Sequence, residues 1–121
     1  MRLFALRGAI TVTRNDRDDI LAGTTELMTA LMERNTLGPD RVVSCIFTAT
    51  DDINAEFPAL AARRLGFDRV PLLCTREMSV PGALRMVIRV LIHYYADDDH
   101  VSRHVYLREA SALRADLDAA Q

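Results

Sequence analysis

Apolar and polar positions along this 121-residue chain fall into two rhythms, one of strands and one of helix. From Arg2 to Val12, the apolar residues Leu3, Phe4, Leu6, Ile10 and Val12 surround Arg7-Gly8. That pattern predicts a strand with a glycine where backbone or ligand approaches closely. Asn15-Asp16 offer helix caps, and Asp18 and Asp19 place negative charge in a first turn, where the helix dipole favours it. Ile20, Leu21, Leu27, Met28, Leu31 and Met32 then follow a helical period to about Arg34. Asn35 and Gly38-Pro39 end that helix.

The stretch from Arg41 to Thr48 reads as a second, largely buried strand, broken by Asp51-Asp52-Ile53-Asn54. Pro58 suits the first turn of a short helix through Ala59, Ala61, Ala62 and Leu65, closed by Gly66. Val70 to Cys74 predicts a third strand, Leu84 to Tyr95 a long fourth, and His104 to Arg108 a short fifth after the turn Asp97-Asp98-Asp99. The order β-α-β-α-β-β-β gives an α+β class: a five-stranded mixed β-sheet with one long and one short helix, in a single domain over residues 1–121. From about Ser111 the chain is polar and alanine-rich, and a flexible C-terminal tail is expected there. Two helices cannot easily cover both faces of five strands, so an uncovered apolar face predicts self-association.

Composition narrows the classes. The formal net charge of -2 argues against nucleic acid or an acidic membrane as partner, since either calls for a basic face. No apolar run approaches the ~20 residues that span a bilayer, and no signal-peptide layout is present, so a cytoplasmic location is expected. Cys45 and Cys74 both fall in predicted strands without zinc-ligand spacing and are expected as free thiols. All 15 basic residues are arginine, so each must be judged by its context.

The most demanding context is that of Arg89, in Val87-Ile88-Arg89-Val90-Leu91-Ile92. A run of this kind predicts a strand buried on both faces. A guanidinium there cannot deprotonate, so it needs an anion, either a protein carboxylate such as Glu77 or an incoming ligand. Cys74-Thr75-Arg76-Glu77 runs from a strand into a loop, and Cys74 and Glu77 could both face a pocket at the sheet's edge. Cys74 has no histidine near it in sequence to act as a base, which weakens a nucleophilic role. Arg7 is a carboxylate-binding candidate, and Tyr106 is expected to be half-buried with a hydroxyl that needs a partner. Arg63-Arg64 sit on the short helix with at least one in water. His100 and His104 have the i,i+4 spacing of a helical metal site, but His104 opens a strand, so no metal is expected. His93 reads as a core or interface histidine.

Taken in order, Leu6-Arg7-Gly8-Ala9-Ile10-Thr11-Val12, Phe57-Pro58-Ala59, Val70-Pro71 with Cys74 and Glu77, Ile88-Arg89-Val90, and His104-Val105-Tyr106-Leu107 with Leu113-Arg114 resemble the small monofunctional chorismate mutases of the Bacillus type. The resemblance implies a homotrimer with a pseudo-α/β-barrel core and active sites in clefts between subunits. It implies the Claisen rearrangement of chorismate to prephenate, on the shikimate-pathway branch to phenylalanine and tyrosine, with no cofactor, metal or covalent intermediate. On it, Arg89 would aim at the ether oxygen of the breaking bond, and Glu77 would accept from the substrate's ring hydroxyl with Cys74 donating nearby. Arg7 and Tyr106 would hold a carboxylate. Phe57 and Ala59 would line the cleft from the adjacent subunit, with Leu72 and Leu73 from the strand side. Arg63, Leu113 and Arg114 are family positions near its mouth.

The chain departs from that pattern at Leu60, where some relatives carry lysine, and at Ala115, where a proline is often found. The connection Leu65-Gly66-Phe67 also looks one residue shorter than in some relatives. Two other readings compete: an imine deaminase-like trimeric enzyme, and a non-catalytic trimeric sensor of a small anion. The pair Arg89 and Glu77 discriminates, because a sensor needs carboxylate binders but no cation over a breaking ether bond.

Overall fold

The computed structural model describes residues 1–113, so Arg114, Ala115 and the rest of the expected tail lie outside the described residues. Among the described residues the main elements follow one another as β1 (Arg2–Thr11), α1 (Arg17–Asn35), β2 (Val42–Ala49), α2 (Ala59–Ala62), β3 (Leu72–Arg76), β4 (Val87–Ala96) and β5 (Val105–Leu107). The strands form one sheet in the order β3-β2-β4-β1-β5. The long β4 runs antiparallel to both β1 and β2, while β3 and β5 add parallel edges to β2 and β1. This is the expected mixed sheet.

Helix α1 takes its predicted N-cap, Asp16, and an unpredicted C-cap, Thr36. The Asp16 carboxylate accepts from the Asp19 N–H (3.2 Å) and so satisfies one of the orphan donors of the first turn. At the other end Thr36 takes a left-handed conformation (φ 48°), and the Leu37 N–H reaches back to the Met32 carbonyl (2.9 Å). Helix α2 is shorter than its apolar pattern predicts. It passes at Arg63 into a wide turn that Gly66 (φ 103°) ends, a backbone conformation that glycine adopts without strain.

Helix α1 packs on one face of the sheet. Its Leu27, Met28 and Leu31 join Leu6 and Ile10 of β1, Cys45 and Phe47 of β2, and Ile88, Val90, Ile92 and Tyr94 of β4 in one buried core. Gly8 lets the helix approach: a Cβ there would stand 2.8 Å from Leu31 Cδ1 and 3.1 Å from Leu27 Cδ1. The close approach predicted at this glycine is therefore that of a helix.

Among the described residues the other face is covered only at one end, where the short 3-10 helix Arg108–Ala110 and Leu113 pack on Ala9 and Val87. Here the expectation of a β4 buried on both faces is corrected. Its side chains alternate, with Ile88, Val90, Ile92 and Tyr94 buried while the Arg89 side chain is 48% exposed. The apolar run hides this period of two, because Leu91 and Tyr95 are apolar residues on the open face. That face also presents Leu3, opposite Tyr95, and Leu73, opposite Ile46. Leu3, Leu73 and Tyr95 are 50%, 59% and 45% exposed, large for apolar side chains and suited to burial against another chain.

Candidate active site

Pairing registers bring two rungs of open-face side chains together. One rung runs Thr75, Thr48, Arg89, Ala9, Tyr106, and the next Leu73, Ile46, Leu91, Arg7. Residues 82 positions apart in sequence, Arg7 and Arg89, thus become diagonal neighbours. A concavity of about 230 Å³ lies over these rungs, lined by Arg7, Thr48, Glu77, Arg89, Leu91 and Tyr106 among others.

Glu77 follows β3 directly, and its N–H donates to the Ala49 carbonyl (2.9 Å), which carries the β2–β3 pairing one step further. That places its carboxylate beside Arg89. The guanidinium donates through Nε to Oε1 (2.7 Å) and through Nη2 to Oε2 (2.6 Å), a fork that matches both carboxylate oxygens. The Arg89 hydrogen bonds hold the Glu77 carboxyl below its ordinary range against partial desolvation, with Thr48 adding in the same direction. Arg89 in turn is held firmly cationic by Glu77, and Tyr106 adds to that. Of the two partners weighed for Arg89, the protein carboxylate is the one in place.

Arg7 lies inside β1 and is held by a contact invisible to local patterning: its N–H donates to Nδ1 of His104 (3.0 Å). Burial and the nearby Arg7 charge push the His104 pKa down, which favours the neutral ring that can accept. His100 points elsewhere, bonded through Nε2 to the Tyr94 hydroxyl (2.6 Å) and packed edge-on against Phe4. The two histidines therefore do not converge, and no cluster of three or more potential ligands of a metal ion occurs among the described residues.

Cys74 and Glu77 do not share a pocket, a second correction. Cys74 pairs with Phe47, which is buried under the helix, and lines a separate hollow of about 340 Å³ with Phe57, Pro58, Ile53 and Arg76. Burial pushes its thiol pKa up, while the Ala59 backbone and the Arg63 charge act weakly the other way. Both Cys74 and Cys45 are free thiols. Phe57 is 69% exposed and Ala59 6%; Arg63 and Arg64 both face water. Leu72 packs against the core, whereas Leu73 lies on the open face. Leu113, at the end of the described chain, packs with Tyr106 and Leu84 against Ala9, Val87 and Ala110.

The candidate residues thus form two half-sites. One is the open-face concavity with Arg7, Glu77, Arg89 and Tyr106; the other is the hollow with Phe57 and Cys74, beside which Ala59 and Arg63 lie. Sequence reasoning missed Thr48, whose Oγ1 donates to Oε1 of Glu77, and Asp52. The Asp52 carboxylate accepts from the Met86 N–H (3.1 and 3.3 Å) and pairs with Arg85 (3.4 Å). It thereby ties down the end of the loop between Glu77 and Arg89, where Met86 has a left-handed φ of 57°. Thr48 carries a weak signal, one of two hydroxyl residues, with Ser44, in a largely apolar strand; Asp52 read only as a strand breaker.

The chain matches the family model of type I chorismate mutase over residues 3–117. It is similar to the chorismate mutase AroH of Thermus thermophilus, with 48% identity covering 96% of this chain and 97% of that one. A chorismate mutase AroH from Bacillus subtilis is 41% identical, over 97% of this chain and 94% of its own. Among solved structures, a chorismate mutase from Clostridium thermocellum superposes with a TM-score of 0.87 at 44% identity, covering 90% of this chain and 98% of that one.

Proposed function

Since the chain belongs to the type I chorismate mutase family and so isomerises chorismate to prephenate, we propose that the Arg89–Glu77 concavity is where it does so, completed by the second half-site of a neighbouring subunit. The observation that carries this reading is the forked pair, a cation and a carboxylate facing one small cavity with Arg7 and Tyr106 beside them. The rearrangement is unimolecular: a C–C bond forms as the ether C–O bond breaks, and negative charge grows on the ether oxygen. An enzyme accelerates it by holding a compact conformer and by aiming a fixed cation at that oxygen.

In this reading Arg89 turns from Glu77 to the ether oxygen when substrate enters, and Glu77 accepts from the ring hydroxyl. Arg7 and Tyr106 hold a carboxylate. Phe57, Ala59 and Cys74 of the adjacent subunit form the other wall, with Leu72 packed behind it and Leu73 on the open face beside the first; Arg63 and Leu113 stand at the mouth. A homotrimer with sheets packed by their open faces accounts for the exposed Leu3, Leu73 and Tyr95. A cytoplasmic enzyme that binds neither nucleic acid nor membrane fits the mild negative charge and the absence, among the described residues, of a helix long and apolar enough to cross a bilayer.

The test is kinetic, read from the loss of chorismate absorbance. Arg89→Lys keeps a charge but not the planar fork, and its kcat is expected to fall by roughly 10²–10³, the scale of losing one aimed donor. Arg7→Ala is expected to act first on KM. Near-wild-type turnover by a folded Arg89→Lys protein refutes the assignment.

A further inference from the structure

Glu77 is asymmetrically held, and the asymmetry has a consequence for the reaction. Its Oε2 accepts only from Arg89 among the hydrogen bonds of the described residues, whereas Oε1 accepts from both Arg89 Nε and Thr48 Oγ1. Thr48 stands on β2 directly opposite Arg89 on β4, with Thr75 of β3 on its other side. Its hydroxyl therefore comes from the floor of the sheet and does not depend on where the Arg89 side chain points.

The geometry points to Thr48 as a positioning residue that keeps Glu77 aimed and ionised after Arg89 has left it for the substrate. This rests on the site reading above. In the resting site Glu77 has a cation to hold it. Once the guanidinium swings to the ether oxygen, the carboxylate loses its strongest partner inside a partly desolvated cavity, which favours protonation or rotation. The Thr48 hydroxyl and the Glu77 N–H bonded to Ala49 are the two anchors that stay. With Oε1 fixed by Thr48, Oε2 is free to accept from the ring hydroxyl. The charged and titratable groups around the carboxylate are Arg89 from β4, Arg7 from β1 and Tyr106 from β5 in its own cavity, with Asp51, Asp52 and Arg85 lining the adjoining hollow.

Thr48→Val keeps the shape and strand preference of the side chain but removes the donor; Thr48→Ser restores it. The Thr48 bond lowers the Glu77 pKa, and in the substrate complex Arg89 no longer does so, so removing the bond moves the acid limb of the kcat profile, which reports that complex, to higher pH. We expect Thr48→Val to lose roughly 10- to 100-fold in kcat/KM, the range for a hydrogen bond to a charged group, with that shifted limb. Thr48→Ser is expected to recover both. Glu77→Gln, run in parallel, separates the two levels of the argument. A large loss in Glu77→Gln with a wild-type profile in Thr48→Val overturns the role of Thr48 and leaves the site reading standing. Near-wild-type activity in Glu77→Gln removes both. If Thr48→Val is impaired and Thr48→Ser does not rescue it, or if the acid limb stays in place, the residue acts only through packing and the proposal is wrong.

Discussion

Cys74 and Glu77 are three residues apart on one extended segment, and an odd offset sends side chains to opposite faces of a sheet. Glu77 therefore joins the open-face concavity while Cys74 turns toward Phe47 and the backbone of Ala59. With its pKa raised by burial, the thiol is neutral near pH 7 and suited to donating a hydrogen bond rather than attacking a substrate. Cys74→Ser is accordingly expected to retain kcat within about tenfold, a serine hydroxyl being a competent donor in that place; a complete loss in the same absorbance assay would restore the nucleophile. Much of the residue-level chemistry was legible beforehand. Arg89 stood out as a charge among aliphatic neighbours, and Glu77 as a carboxylate for it, because both facts depend on side-chain chemistry alone. The depth of Arg89 was misjudged, since an apolar run cannot distinguish a strand covered twice from one whose second face awaits another chain. Thr48 escaped notice because its significance comes from the register that sets it opposite Arg89, and register is a long-range property.

Element by element, local signals worked where the cause was local. The Asp16 cap, the Asn35 stop and the Gly66 turn each formed as their residues predict. Strand ends moved by two or three residues where cross-strand bonds decide them, β4 starting at Val87 rather than Leu84 because Asp52 holds the Met86 N–H. Short β5 depends most on such contacts. Three pairs join it to β1, and beyond them the His104 ring takes the place of a backbone acceptor for the Arg7 N–H. Asn35 ties the chain just before it, accepting from the Arg103 N–H (2.8 Å) and donating to the Arg103 carbonyl (3.0 Å). Removing the ring should loosen Arg7 and the β5 entry together. His104→Ala is expected to raise KM by roughly fivefold, about the net worth of one neutral hydrogen bond, while His104→Asn, whose carbonyl can stand in for Nδ1, stays closer to wild type. The same bond makes substrate affinity pH-dependent. Because the ring's pKa lies below that of an ordinary histidine, acceptance persists at neutral pH and is lost as pH falls through that lowered value, when Nδ1 gains a proton. A KM independent of pH across that limb, measured beside His104→Asn, would show that the contact does not bear on binding.

At the scale of the whole molecule, the proposed site draws on two separate hollows of each chain. Arg7, Glu77, Arg89 and Tyr106 face outward from the sheet, and the hollow with Phe57 and Cys74 lies elsewhere on the same chain. A cyclic assembly closes both at once, since in a ring every subunit offers one wall to the neighbour on one side and the second wall to the neighbour on the other. The proposed assembly would cover Phe57, left 69% exposed in the single chain, and would give the arginine in its apolar strand a second covering layer. Subunit mixing distinguishes a shared site from one held within a chain. Arg89→Lys removes the aimed cation from one wall, and Phe57→Asp puts a repelling charge on the other, each expected to leave homotrimers nearly inactive. When the two variants are co-expressed and assemble at random, a site has both walls intact if its first wall comes from a Phe57→Asp chain and its second from an Arg89→Lys chain. With equal amounts of each, that occurs at roughly a quarter of the sites, a count that follows from cyclic closure alone. Recovery toward that fraction of wild-type turnover is the expected result. If each chain holds a complete site, every site keeps one damaged wall whatever its neighbours, and mixing recovers nothing.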